Sequence, residues 1–181
     1  MKKLAIMAIL ATAALAASAT ELQVSGSRDT TQNNVTGYSL SIAQPVSKGL
    51  TVTAGFENVA GVAGTNVDTA TVGAAYDIAS AGPVTFTALG AVGYTDVQAG
   101  SMKGMFSKVG LQASMPVIKD LTASVSLVRQ LGTSAVNSLD HTEGTIGLNY
   151  VLTKSLSVTG TVTYFDGVPG QQMALGLSYS F

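Results

Sequence analysis

His141 is the single histidine of the chain, and Asp140 and Glu143 flank it. An imidazole beside carboxylates is the raw material of a general base or of a metal ligand. Each role needs more. A metal needs further ligands at set spacing, and the chain has no cysteine and no second histidine to supply them. Acyl transfer needs a placed hydroxyl, yet the sequence holds no nucleophile elbow, and it holds no phosphate-binding glycine loop either. His141 is therefore expected in a solvated loop, and no catalytic residue, metal or cofactor is assigned.

A second group of polar residues points to a different chemistry. By the alternation described below, Glu57 and Lys108 fall on the inner side of two strands at similar depths. Opposite charges there would pair across a lumen and set its ion selectivity. Gln112, Gln130, Asn149 and Gln172 fall on the same side, so these six are the candidate pore-lining residues. Arg129 falls on the opposite side, near a strand end. A guanidinium there snorkels into headgroups, or binds lipid phosphates bidentately.

The elements that must position these residues are strands. Apolar residues recur at every second position: Tyr38, Leu40, Ile42, then Leu50, Val52, Ala54, Phe56, and so on to Met173, Leu175, Leu177, Tyr179 and Phe181. Small or polar residues stand between them. Period-2 alternation makes one face of each strand apolar and the other polar. Three segments repeat the pattern apolar-x-Lys-x-Leu, around Lys48, Lys119 and Lys154. Two of them have a proline before (Pro45, Pro116) and a threonine after (Thr51, Thr122). The lysines lie 71 and then 35 residues apart, and the half-period predicts a further turn at Ala79 to Pro83. Counting the runs between turns gives ten strands, with eight as the alternative. The opposite connections are expected near residues 29–34, 58–68, 96–104, 132–143 and 166–171.

Composition fits a sheet between lipid and water. Only 10% of the residues are charged, against roughly 25% in soluble domains. Beyond the leader no run of 18 apolar residues could form a helical span. The leader itself has Lys2 and Lys3, an apolar stretch of 14 residues from Leu4 to Ala17, and the small-x-small site Ala17-Ser18-Ala19. That order reads as a signal peptide over residues 1–19, followed by one domain over 20–181. Its removal leaves seven Lys and Arg against ten Asp and Glu, a net charge of −3. With no basic surplus, nucleic acid is excluded as a partner.

The last strand, alternating to a terminal Phe181 with Tyr179 on the same face, resembles the assembly signal of bacterial outer-membrane β-barrels. Leader, repeat and terminal aromatic together extend the resemblance over the whole chain. It implies an all-β, antiparallel up-and-down transmembrane barrel in the outer membrane, with both termini periplasmic. It implies lipid, lipopolysaccharide and the assembly machinery as partners. Aromatic rings are expected in two girdles: Tyr38, Phe56, Tyr94, Phe106 and Tyr164 at the loop ends, and Tyr76, Phe86, Tyr150, Tyr179 and Phe181 at the turn ends. Phe165 is left facing inward. The lumen wall of Gly, Ala, Ser and Thr leads to the expectation of a narrow, porin-like passive channel rather than an enzyme. A closed-lumen structural or surface-interaction barrel is the alternative, and a barrel enzyme that modifies lipid or peptide ranks after it.

Overall fold

The computed structural model describes residues 21–29, 36–60, 66–97, 102–133, 140–166 and 171–181. The signal peptide inferred over residues 1–19 lies outside them. Ten strands follow in order: β1 (Glu21–Asp29), β2 (Thr36–Ser47), β3 (Leu50–Ala60), β4 (Asn66–Ala81), β5 (Val84–Val97), β6 (Met102–Ile118), β7 (Leu121–Gly132), β8 (His141–Val151), β9 (Leu156–Phe165) and β10 (Gln171–Ser180). Each pairs antiparallel with its sequence neighbours, and β1 pairs with β10 from Glu21↔Ser180 to Asp29↔Gln172. The sheet is a closed ten-strand barrel, which rules out eight. Closure leaves no edge strand whose N–H and C=O groups would face lipid unpaired.

The distribution of side chains is inside out. Leu127 is 62% exposed, Leu175 67% and Leu111 58%, while Thr95 is 2% exposed, Gln130 6% and Ser178 3%. A soluble barrel would bury the leucines. Here the outward face is an apolar belt and the inward face is polar, as a bilayer demands. Each strand runs nine to seventeen residues, and about ten cross an apolar band of about 25 Å. At the loop end the belt stops at a row of polar cross-strand partners on the outer wall: Asn58↔Asp68, Asp68↔Asp96 and Asp96↔Lys103. Asn58 donates to Asp68 at 2.6 Å, and Lys103 meets Asp96 at 2.9 Å. Arg129 continues this rim, outward and exposed, donating to Thr142 at 3.1 Å.

The repeated turns have a structural cause. In the pairing register, Pro45 stands opposite Thr51 and Pro116 opposite Thr122, so the recurring proline and threonine are cross-strand partners. The register then skips one residue, Val46 in the first hairpin and Val117 in the third. A proline is tolerated at such a bulge because the ladder there does not need its missing N–H. The turns that follow place Gly49 and Asp120 at φ of 75° and 66°. Both are residue types that reach the left-handed region at low cost. The turn at Gly82-Pro83 carries its bulge at Ile78 and has Gly82 at φ 59°.

Two expectations are corrected. The strands run further than the alternation suggested: β3 pairs with β4 up to Ala60↔Asn66, and β8 begins at His141. His141 and Glu143 are thus strand residues rather than solvated loop residues. Phe106 does not join the outer girdle. It pairs with Gly93 on the inward face and is 4% exposed. A side chain at the Gly93 Cβ position would collide with the Phe106 ring, so the outer end of the ring occupies the space that glycine leaves. Phe165 faces inward as expected and lines the lumen.

Candidate functional site: the mouth of the lumen

The inward face collects the polar residues at the loop end of the barrel. β6 supplies Phe106 and Lys108, β7 Gln130, and β8 His141 and Glu143; β3 and β10 supply Glu57 and Gln172. With Asp29, Phe165 and several hydroxyl side chains they enclose a cavity of about 370 Å³.

Its electrostatic centre is the Glu143 carboxylate. Lys108 pairs with Gln130, and Gln130 with His141, so these three inward side chains stand in one row across β6, β7 and β8. Glu143 sits one inward position further from the loop than His141. Lys108 reaches across β7 to it, Nζ to Oε1 at 2.8 Å. His141 Nε2 meets the same oxygen at 2.8 Å. The side chains of Lys108 and Glu143 are 28% and 16% exposed. Charges this far from bulk water require partners, and each supplies the other's. Lys108 also stands 5.8 Å from the centre of the Phe106 ring. The His141 ring meets Phe165 edge-on, 5.5 Å between centres.

The expected cross-lumen pair is thereby changed in one member. Lys108 has Glu143 as its direct ionic contact, and Glu57 faces the same cavity with the Gln172 amide as its hydrogen-bond partner. Gln172 also donates to Ser27 at 3.2 Å. Of the six candidate residues, Glu57, Lys108, Gln130 and Gln172 come together on this wall. Gln112 and Asn149 are inward but deeper: Gln112 pairs with Thr87 and Ser126, and Asn149 accepts from Thr159 at 2.9 Å. Tyr179 and Phe181 lie at the far end, against each other edge-on at 5.0 Å. His141 and Glu143 stand out in the sequence as an imidazole beside carboxylates, and what the structure adds is their place on the inward face of β8 rather than in a loop.

Lys108 and Glu143 also border a second, smaller cavity of about 220 Å³, walled by Thr53, Gly73, Ala75, Leu89, Ala91 and Val128. The ion pair therefore borders both spaces. Wall hydroxyls engage other neighbours: Thr69 with Thr95, and Thr163 with Thr145. Among the described residues no group of three or more His, Asp or Glu is arranged to hold a metal. The inward face of the described strands carries Glu21, Asp29, Glu57, Asp77 and Glu143 against Lys108, an excess of four negative charges with His141 neutral.

No family model matches the sequence, and no curated protein matches it. Solved structures do match the fold. An outer membrane channel from Pseudomonas putida F1 superposes with a TM-score of 0.57 at 10% identity, over 91% of this chain and 96% of that one. The beta domain of the Bordetella autotransporter Brka gives 0.56 at 12% identity, over 90% and 99%. The NanC porin gives 0.52 at 11%, over 88% and 100%. The protein is a closed ten-strand transmembrane β-barrel with the fold of bacterial outer-membrane proteins.

Proposed function

We propose that this chain is an integral outer-membrane protein acting as a narrow, passive, cation-preferring channel. The observation that carries this reading is the lumen: a polar-lined mouth and a second, largely apolar space that both border one ion pair, in a wall with five carboxylates to one ammonium among the described residues. An acidic wall of low dielectric raises the local concentration of cations and repels anions. An eight-strand barrel is just filled by its own side chains, and ten strands give a wider wall. Gly73, Ala75 and Ala91 at the second cavity leave that extra width open. The Lys108–Glu143 pair then sets the narrowest passage, where a permeating cation competes with the lysine for the carboxylate.

In this reading the tight turns at Lys48, Lys119 and Lys154 are periplasmic, as are both termini, and Asp140 and Asp166 face outside. Residues 1–19 are the export signal. The outward aromatic pair Tyr179 and Phe181 serves recognition by the assembly machinery, and Arg129 meets lipopolysaccharide phosphate. The channel is tested by reconstituting the purified barrel in planar bilayers. Discrete small conductance steps are expected, enlarged by Lys108→Ala. A silent parent and a silent variant would replace the channel with a closed structural barrel.

A further inference from the structure

The mouth cavity has a lining with a definite chemical preference. Asp29, Glu57 and Glu143 put three carboxylates on it, and among the described lining residues Lys108 is the only ammonium, a local net charge of −2 with His141 neutral. Two phenyl rings, Phe106 and Phe165, share the same wall. Carboxylates and ring faces both attract cations, and the attraction to a ring is strongest when water is excluded.

The protein shows what this wall accommodates. The Lys108 side chain is a tethered alkylammonium. Its nitrogen lies 2.8 Å from the Glu143 carboxylate and 5.8 Å from the centre of the Phe106 ring. The wall thus holds an ammonium between an acid and an aromatic face. Glu143 has a second ring at hand, since its cross-strand partner is Phe165. Glu57 faces the same space, held by the Gln172 amide rather than by a direct ion pair. An inorganic divalent ion fits less well. Calcium takes six to eight oxygen ligands, and no ligand group of three is assembled among the described residues.

We propose that the mouth of the lumen is a binding site for a small primary alkylammonium ion. Its charge meets Glu57, and its apolar stem lies against Phe165. The ion pair beneath forms the floor. The site deepens the channel reading and rests on the same lumen, naming the class of solute that lingers there. Lys108 is in effect a built-in competitor, so its removal should open a second seat at Glu143.

The test uses n-propylammonium chloride, which restores the three carbons and the nitrogen that Lys108→Ala removes. Binding to the folded full-length barrel in detergent is measured by calorimetry, with sodium chloride as the ionic reference. The same preparations are taken to planar bilayers. Binding above the sodium reference is expected for the parent. Glu57→Gln should weaken it about tenfold, about 1.4 kcal/mol, and Lys108→Ala should tighten it by a similar factor. If Lys108→Ala does not assemble, Phe165→Leu in the parent is the second arm, with an expected loss of several-fold. Propylammonium indistinguishable from sodium in the parent and its variants would overturn the site. Conductance without that binding removes the site and leaves the channel. Binding in a barrel that does not conduct leaves the site and removes the channel.

Discussion

Glu143 accepts two donors on one oxygen, and that arrangement makes Lys108 and Glu143 unequal under mutation. Glu143→Leu leaves the Lys108 ammonium without its ionic partner in a half-buried place. We expect a loss of roughly 1–3 kcal/mol, read as earlier unfolding in urea from detergent-solubilised barrel. Lys108→Met leaves Glu143 with His141 still bonded to it and should cost less. Equal losses would mean that the histidine contact contributes nothing. Gly93 gives a second prediction at this scale. Gly93→Ala pushes the Phe106 ring off the wall and into the mouth, so the conductance of an assembled barrel should fall. Unchanged conductance with the ring still on the wall would contradict it. The inward placement of Phe106 was legible from its parity with Lys108. Its hydrophobicity argued for lipid, and the seat that overrides this is a glycine thirteen residues earlier, visible only once β5 and β6 are paired. The strand position of His141 was hidden for another reason. At the rim of a barrel the outward positions also turn polar, as Thr142 does beside Arg129. Period-2 contrast vanishes there, and a strand end reads as a loop.

At the scale of elements, the hairpins were the most readable feature. The lysine repeat located the turns, and the alternation between them gave the ten strands and their faces, because a lipid belt enforces the pattern over many residues. The bulges at Val46, Ile78 and Val117 were not legible as bulges. They show only in the register, where a proline–threonine pair precedes the skipped Val46 and Val117 and the Asp77–Thr87 pair precedes the skipped Ile78. The fourth turn is built differently: the Thr153 hydroxyl accepts from the backbone N–H groups of Ser155 and Leu156 at 3.3 and 3.1 Å. Because Gly49 has φ 75°, Gly49→Val should destabilise the first hairpin by about 1–2 kcal/mol. Asp120→Gly at the matching turn should be tolerated or slightly stabilising. Chemical denaturation of the two variants checks the contrast, and the reverse order would contradict the turn assignment. Orientation is checked with single cysteines on intact cells. Position 140 should label from outside and position 119 should not; strong labelling at 119 would invert the barrel.

At the scale of the molecule, the barrel is an inversion of a soluble fold: leucines outside and threonines inside. That inversion was readable from composition and alternation together, since few charges and no helical span leave a strand barrel as the remaining way to satisfy lipid. The sign of the lumen was only partly readable. Glu57 and Lys108 suggested balance, whereas closing the barrel and extending β8 bring Asp29 and Glu143 onto the same wall and tip it negative. The reversal potential of the reconstituted barrel under a potassium chloride gradient tests this most directly. We expect measurable current with a reversal potential on the side of the cation equilibrium potential, shifted toward zero by Glu57→Gln. A barrel that passes no current, or one whose reversal potential lies on the chloride side, would contradict a cation-preferring channel.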